Sequence, residues 1–302
     1  MSEITYISRH ELDIARYDAC ISNAINSRIY AYSWYLDIVA EHWDVLVYGN
    51  YDAVMPLTWK RKFGIKYITI PPWVQQMGVI SSQEKLVQNV DNFIKEIPKK
   101  FKKIDYQFND FNEIEIPDTV WRNNYILTLN NSYVSIYNGF SKMRQRILTS
   151  LNIEQYTLKE NQPINVILNE YKRYIQPKSG HSEHDINLFR RLYNEANRRE
   201  KAFNVQVWQN EMFLSGVIFF KSNHRLYSIF LAQTQTGKEA NTTSMIYQYV
   251  IEKYQNTAYI LDFEGSNIHG VKTFIESFGA VNKPYVLWHK ATRLMSVFYN
   301  KN

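Results

Sequence analysis

Two acidic residues stand where a predicted strand ends, and their spacing suits acid–base chemistry. Residues 259–264 form a mostly apolar stretch, and side chains two apart on a strand share a face, so Asp262 and Glu264 are predicted to point the same way. Gly265 and Ser266 then break the strand. Two carboxylates at a strand end beside a glycine turn suit general acid–base chemistry. The alternative interpretation is a solvated strand end.

A helix is predicted directly after this turn. Val271, Phe274, Ile275 and Phe278 recur at the spacing of an apolar helical stripe, and Gly279 suits the position just beyond its end. A strand, a turn and a helix therefore position the acidic pair.

The chain contains an internal repeat. Without a gap, Asn50 aligns with Asn210 and Tyr67 with Tyr227. In each half the predicted order is helix, three-stranded meander, helix and strand. This order predicts an α/β (α+β) fold of two tandem mixed-sheet units with helices on both faces, one over residues 1–139 and one over residues 140–302.

A glycine-containing loop opens a helix in the second half and is a candidate anion site. Unpaired N–H groups and the helix dipole favour an anion there, such as a phosphate of coenzyme A or of tRNA. The alternative is an ordinary polar loop with a helix cap. The candidate donor-binding residues are Gly237, Lys238, Asn241, Thr242 and Thr243.

The equivalent loop of the first half, residues 71–78, begins with two prolines and so lacks two backbone donors. Its Trp73, Gln75 and Gln76 offer an aromatic face and amides instead, which suits an organic substrate. We therefore expect the first unit to hold the acceptor and the second to hold the donor. Further candidates for substrate contact, all near the acidic corner, are Tyr227, Ser266 and Phe274.

Composition excludes several classes of protein. The 302 residues carry a net charge of +6, which permits anionic partners without requiring them. The start of the chain lacks the apolar stretch of a secretory signal, and the longest apolar run, residues 213–220, is too short to span a bilayer. A single cysteine, Cys20, makes no internal disulfide. A cytoplasmic protein is expected.

Other motifs point away from metal and nucleotide chemistry. His181 and His184 with Asp185 precede a helix, and without a third ligand they predict a helix N-cap, so no metal is predicted. The basic residues at 60–62 and 99–103 are interpreted as solvated ends of elements. The sequence has neither a P-loop nor the nucleophile elbow of serine hydrolases.

The doubled unit, with the pattern Asp-Phe-Glu-Gly-Ser…Gly…Phe…Phe-Gly over residues 262–279, resembles the Fem family of aminoacyl-tRNA-dependent peptidyltransferases, within the GNAT superfamily of N-acyltransferases. Residues 140–147 look like the Ser…Arg…Ile helix that joins the two halves in that family. The resemblance implies twin GNAT-like units and transfer of an acyl group to an amine. In Fem enzymes the donor is an aminoacyl-tRNA and the acceptor a peptidoglycan precursor.

One departure from the family pattern bears on catalysis. The family has Phe-Lys inside the final helix, and that lysine aids transfer. Here Ile275 follows Phe274 and lies on the apolar stripe. Lys272, on a neighbouring face, is the candidate substitute, although Glu276 at i+4 can pair with it. The departure weakens the tRNA-dependent interpretation more than the general acyltransferase one.

The predicted function is N-acyl transfer from acyl-CoA (such as acetyl-CoA) or aminoacyl-tRNA to a small-molecule or peptide amine. The catalytic candidates are Glu264, Asp262 and Lys272. The alternative is a non-catalytic GNAT-fold module that binds a sugar-nucleotide or a peptide, which the missing lysine permits. Work at a membrane face is a third option, although the sequence shows no amphipathic helical anchor.

Overall fold

The computed structural model of the chain describes residues 3–265 and 268–291. The chain divides into two compact units, one of Met1–Arg122 with Pro284–Asn302 and one of Asn123–Lys283. In the described part of the chain, no helix combines the length and the apolar character needed to cross a bilayer.

The first unit is an eight-stranded sheet with helices. Its elements, in chain order, are β1 (Ile4–Ser8), α1 (Ile14–Asn23), a 3₁₀ helix (Ile29–Ala31), α2 (Ser33–Val39), β2 (His42–Tyr48), β3 (Ala53–Lys62), β4 (Ile65–Ile68), β5 (Ile80–Ser81), α3 (Glu84–Gln88), α4 (Val90–Lys95), β6 (Phe101–Gln107) and β7 (Thr119–Arg122).

The second unit is a seven-stranded sheet with longer helices. Its elements are β8 (Tyr125–Thr128), α5 (Tyr133–Asn138), α6 (Lys142–Ser150), a 3₁₀ helix (Ile153–Gln155), β9 (Thr157–Glu160), α7 (Asn165–Tyr174), α8 (Gln176–Ser179), α9 (Glu183–Arg198), β10 (Ala202–Gln209), β11 (Met212–Ser222), β12 (Arg225–Gln233), α10 (Gln235–Glu239), α11 (Thr242–Tyr254), β13 (Ile260–Asp262), α12 (His269–Glu276) and β14 (Val281–Asn282). The last strand, β15 (Tyr285–Ala291), returns to the first sheet.

The two sheets share a topology, which confirms the predicted fold class. In the first, β2, β3 and β4 form an antiparallel meander and β6 then pairs parallel to β4. In the second, β10, β11 and β12 form the meander and β13 pairs parallel to β12. A parallel neighbour requires a crossover connection, and helical segments supply it in both units.

Each sheet also takes a strand from the distant half of the sequence. The strand β8 pairs with β13 in the second sheet, and β15 lies between β6 and β7 in the first. The units of the structure are therefore discontinuous in sequence. The boundary predicted near residue 140 falls between α5 and α6, which both belong to the second unit.

Alternation along the second sheet sorts its side chains into two environments. Leu226 and Leu261 belong to the main hydrophobic cluster of the unit, together with residues of α11 and α12. Because successive side chains of a strand point to opposite faces, the neighbouring Arg225, Tyr227 and Asp262 lie on the other face. This alternation places a cation and a carboxylate on one face of adjacent strands.

The strand β15 is predicted to be required for folding of the first unit. A chain ending at Lys283 lacks the strand between β6 and β7, together with the buried residues Val286 and Leu287, so both neighbours lose ladder hydrogen bonds and core contacts. We expect the amides of β6 to lose protection in hydrogen exchange. A chain ending at Ala291 keeps β15 and is the control. Equal protection of β6 in the two chains would contradict this prediction.

Candidate active site

The parallel strands β12 and β13 pair over only three positions, because β13 ends at Asp262. Their pairing runs from Arg225 with Ile260 to Tyr227 with Asp262, whereas β12 continues to Gln233. A β-bulge in β12 lies next to this point, where the β11–β12 register shifts after Ile218. The backbone of β12 beyond Tyr227 therefore has no partner on the side of β13 among the described strands.

Asp262 is committed to a buried ion pair. Its Oδ2 lies 2.6 Å from Nη1 of Arg225, and the two side chains are 1% and 7% exposed. Asn124 Nδ2 donates to the same oxygen at 3.4 Å. Removing two charges from water is costly, and the pairing and hydrogen bonds offset that cost. This carboxylate is built to hold β13 to β12 rather than to meet solvent.

Glu264 occupies a different environment from Asp262. The strand ends at Asp262, and Glu264 has a left-handed backbone with φ +64°, so the prediction that both carboxylates share a strand face is wrong. The other oxygen of Asp262 accepts the Glu264 N–H at 2.9 Å. Glu264 is half-buried at the corner. A non-glycine residue in this region of φ and ψ is strained, and such residues cluster at functional sites.

Gly265 makes the tight corner possible. Its φ is +63°, and a Cβ at this position would lie 2.2 Å from the carbonyl oxygen of Asn123. Only glycine allows that approach. Ser266, the predicted substrate contact, lies outside the described residues.

The predicted donor loop is a short helix instead of an open glycine loop. Thr234 caps α10 by accepting the Gly237 N–H at 2.9 Å, and the N–H groups of Lys238 and Asn241 are bonded within the segment. A Cβ on Gly237 would lie 2.2 Å from the carbonyl oxygen of Leu214, so this glycine permits close packing on β11. The prediction of a phosphate cradle from the Gly237 and Lys238 backbone is therefore wrong.

The start of α11 keeps some of the predicted anion-binding character. Asn241 is its N-cap residue but makes no side-chain capping bond, and the first N–H groups of a helix have no acceptor within the helix. The side chains of Thr242 and Thr243 are buried: the Thr242 hydroxyl lies 2.8 Å from that of Ser215, and the Thr243 hydroxyl donates to Gln233 at 2.9 Å. Lys238 is exposed on α10.

The helix α12 places Ile275, which stands where the Fem pattern has a lysine, in the hydrophobic core. Ile275 is 3% exposed and belongs to the hydrophobic cluster, as the apolar stripe predicts. Val271 is 42% exposed, so the stripe is shorter than predicted. Lys272 Nζ lies 3.7 Å from Oε1 of Glu276, and both side chains are 43% exposed. Phe274 is half-buried, with its ring 5.8 Å from that of Tyr247.

Arg144 connects α6 to the helices of this site, and it lies in the segment 140–147 that resembles the Ser…Arg…Ile helix, although the sequence predicted no role for it. Its guanidinium carbon lies 4.6 Å from the ring centre of Phe274 and 4.5 Å from that of Phe278. It donates to Ser277 at 2.9 Å and to Ser244. Burial lowers the pKa of Arg144 to about 10, so the group is charged at neutral pH. The charge is held by aromatic faces and hydroxyls.

Arg225 was also missed, although a signal for it existed. An arginine in the otherwise apolar stretch of residues 225–231 requires a partner when the strand is buried, and Asp262 lies within the strand predicted over residues 259–264. If these two strands are assumed to be neighbours, Arg225 and Asp262 can be predicted to form an ion pair. Asp262 would then be a structural residue of the sheet.

In the first unit, the segment that follows the meander stays paired with the parallel strand β6. Met77 forms a parallel bridge with Phe108, and its N–H donates to the carbonyl of Gln107 at 3.0 Å, so the segment after β4 continues along β6. Gln76 is fully buried, and its Nε2 donates to Oε1 of Gln75 at 2.8 Å. Trp73 is half-buried with φ +65°. These three predicted acceptor residues lie in one segment.

The histidine segment is a helix start, as predicted. Ser182 and Asp185 form a capping box at the beginning of α9. His181 Nδ1 lies 2.6 Å from the Tyr171 hydroxyl, and burial lowers the pKa of His181. Within residues 3–265 and 268–291, no group of three or more His, Cys, Asp or Glu side chains is arranged to hold a metal.

Comparison with known proteins identifies the fold. No family model and no curated protein sequence matches the chain. FemX matches with a TM-score of 0.68 at 12% identity, over 91% of this chain and 96% of FemX. A conserved protein of unknown function from Bacteroides thetaiotaomicron VPI-5482 gives 0.60 at 12% identity, over 92% and 98%. A tandem GNAT protein from the clavulanic acid biosynthesis pathway gives 0.51 at 7% identity, over 95% and 98%.

The buried ion pair yields a stability prediction. Asp262→Ala leaves the Arg225 charge buried without its partner, and we expect the free energy of unfolding to fall by about 3–5 kcal/mol. The double change Arg225→Met with Asp262→Leu removes both charges and should recover most of this loss. Denaturant unfolding of the single and double variants measures both values. A double variant no more stable than Asp262→Ala would contradict the prediction.

Proposed function

We propose that this chain, which has the Fem-like, tandem GNAT-type fold, is an N-acyltransferase that moves an acyl or aminoacyl group from an activated carrier to an amine. The observation that best supports the proposal is the end of β13 beside the continuing strand β12, with Glu264 at the corner that follows. In this proposal β12 supplies backbone donors, the corner supplies a carboxylate, and the ion pair between Arg225 and Asp262 fixes their geometry. Acyl transfer to an amine needs these groups.

Glu264 is the proposed general base. An acceptor amine is an ammonium at neutral pH and must lose a proton before it attacks. Glu264 accepts this proton through a water molecule, and the amine nitrogen then attacks the carbonyl carbon of the donor. The new C–N bond forms as the thioester or ester bond breaks. The second amine proton passes to the departing thiolate or ribose oxygen.

The backbone of β12 is the proposed oxyanion site. Negative charge develops on the carbonyl oxygen of the donor during attack, and fixed N–H groups stabilise it most effectively. Beyond its last pair with β13, the edge of β12 that faces away from β11 has no described strand partner, and the N–H groups of this edge other than that of Phe230 are the proposed donors. Asp262 and Arg225 act here as positioning residues, because they hold the end of β13 against β12.

The donor carrier is proposed to be acyl-CoA, such as acetyl-CoA, or aminoacyl-tRNA. Both carry phosphates, and the start of α11 offers the N–H groups of Thr242 and Thr243 with a helix dipole behind them. Lys238 and Asn241 lie directly before this helix start. Both carrier classes are cytoplasmic, and a cytoplasmic location belongs to the proposal.

The acceptor is proposed to be a small-molecule or peptide amine. Trp73, Gln75 and Gln76 supply an aromatic face and amides in the first unit, and Phe274 and Tyr227 supply rings in the second. Trp73 also has a left-handed backbone, the strained conformation found at Glu264. Association with a membrane surface is compatible with this function.

One observation favours a second candidate function, a GNAT-fold module that binds a sugar-nucleotide or peptide without turnover. The family lysine position is Ile275, which is buried at 3% exposure and cannot contact developing charge. Lys272 is the proposed substitute for that lysine. It is partly exposed and paired with Glu276 across one helical turn. Turnover of any thioester and amine pair would exclude the binding module.

Removal of the proposed base is the central test. With a thioester and amine pair that gives product, Glu264→Gln should lower kcat by roughly 100-fold or more, because the base is lost while the size is kept. Glu154→Gln removes an exposed carboxylate from the 3₁₀ helix of the second unit, outside the proposed site, and is the matched control. Lys272→Met tests the lysine substitute in the same assay. Unchanged kcat in Glu264→Gln, with Glu154→Gln also unchanged, would refute the base assignment.

The carrier is tested by the charge on α10. If acyl-CoA is the donor, Lys238→Ala should weaken coenzyme A binding several-fold, whereas Lys142→Ala, an exposed lysine of α6, should not. If aminoacyl-tRNA is the donor, tRNA affinity should fall steeply with salt, because many phosphates are contacted. Calorimetry and filter binding measure the two affinities. Unchanged coenzyme A affinity in Lys238→Ala removes the first assignment, and a flat salt response removes the second.

A further inference from the structure

The hairpin between β3 and β4 has an unusual turn. Lys62 pairs with Ile65, so the loop consists of Phe63 and Gly64 alone. Their φ values are +50° and +80°, and two positive values define the type I′ turn that matches the twist of a hairpin. This turn strongly favours asparagine or glycine at its first position, because other side chains are strained there.

Two other hairpins of the chain show the usual choice. The two-residue loops of β10–β11 and β11–β12 begin with Asn210 and Asn223, each with φ +45°. Phe63 stands at the same position and is 92% exposed. An aromatic ring is thus held in strained backbone where it buries almost nothing within the chain. A role in contact with something outside the chain accounts for both features.

The hairpin extends beyond its neighbours in the sheet. Pairing of β3 with β2 ends at Trp59, and pairing of β4 with β6 begins at Lys66. The segment between these limits, residues 60–66, is called here the basic hairpin. Beside Phe63 it carries a second exposed apolar side chain, Ile65, at 38% exposure.

Cations surround the apolar tip. A groove of about 380 Å³ along the basic hairpin is lined by Arg61, Lys66, Lys100 and Lys102 with Gly64 and Ile65. Within the described part of the chain, none of these four cations nor Lys60 or Lys62 forms an ion pair with a carboxylate. No ion pair therefore neutralises the charge of this region, although Lys66 and Lys100 lie over the rings of Trp59 and Tyr6 and Lys102 donates to the Lys99 carbonyl. The sequence analysis interpreted it as a set of solvated ends.

We propose that the basic hairpin docks the first unit on an anionic lipid bilayer. Phe63 and Ile65 enter the boundary between headgroups and acyl chains, and the surrounding lysines and Arg61 bind lipid phosphates. Each contribution alone gives weak, reversible binding, and stable attachment needs an apolar insertion together with a basic patch. The sequence shows no amphipathic helix that could serve as a membrane anchor, and in this proposal the tip of the basic hairpin takes that role.

A nucleic acid fits this surface less well. Aromatic residues that bind single strands form platforms along a basic groove, where successive bases stack on them. Phe63 instead lies at the hairpin tip and does not line the groove. Among the described contacts of its ring, the only partner is the Lys62 ammonium, with Nζ 5.6 Å from the ring centre. A protruding ring is suited to insertion into a layer. The proposal concerns the first unit alone and does not depend on the acyltransferase assignment.

The test uses the full chain and sedimentation with vesicles. Binding is expected to vesicles of phosphatidylglycerol and phosphatidylcholine, and not to phosphatidylcholine alone. Phe63→Asn should lower the partition coefficient roughly tenfold to a hundredfold, because the inserted ring is lost. Asparagine is the preferred residue of this turn, so the melting temperature should stay equal or rise. Phe63→Trp should retain binding. Met212→Asn, at an exposed apolar residue beside the β10–β11 turn, is the control and should leave binding unchanged.

Charge reversal tests the basic part of the surface. Arg61→Glu with Lys62→Glu should lower vesicle binding by tenfold or more, whereas Lys142→Glu should have little effect. Equal vesicle binding by Phe63→Asn and Phe63→Trp would overturn the proposal. So would equal binding to neutral and anionic vesicles. Retention of a single-stranded RNA oligonucleotide by a chain that fails to bind either vesicle would also overturn it and would assign the surface to nucleic acid.

Discussion

The buried ion pair between Arg225 and Asp262 is the constraint on which the second unit depends. Neither charge is stable in the sheet without the other, so the pair fixes β12 against β13 where their backbone pairing ends. The free oxygen of Asp262 then holds the Glu264 N–H and shapes the corner. Asp262, which the sequence suggests as a catalytic base, is therefore a positioning residue. It fixes the backbone of Glu264, the proposed base, at the corner after β13.

The first unit solves the same packing problem differently. It has its own buried ion pair, between Arg28 and Asp110, at 2% and 8% side-chain exposure. Around it a buried amide network closes the sheet: Asn109 donates to the Met77 carbonyl at 2.6 Å, and Asn112 donates to backbone carbonyls nearby. The repeat therefore preserves the order of strands, while the segment after β4 continues along β6 and β12 lacks such a partner beyond Tyr227. The proposed assignment of acceptor and donor to the two units rests on this difference.

The helix α12 shows how packing limits chemistry. Its apolar stripe requires Ile275 in the core, so the helix cannot present a lysine from that position. Arg144 replaces that charge inside the unit only as a structural cation, stacked on Phe274 and Phe278 and bonded to serine hydroxyls. Unlike the buried Arg144, Lys238 on α10, Lys272 on α12 and the cations of the basic hairpin are accessible to a ligand. Each of these locations is open to solvent.

The sequence by itself determined the repeated order of elements, the inward position of Ile275 and the capped start of α9, because each follows from local periodicity or local hydrogen bonding. The sharp turn after Asp262 was also readable from Gly265. Only the tertiary structure decided that Asp262 is buried against Arg225, that residues 235–239 close into a helix, and that β8 and β15 belong to the sheet of the opposite half. These outcomes depend on which strands become neighbours and in what register. Side chains distant in sequence determine that choice, since a buried charge or an unpaired strand edge is stable only once its partner is in place.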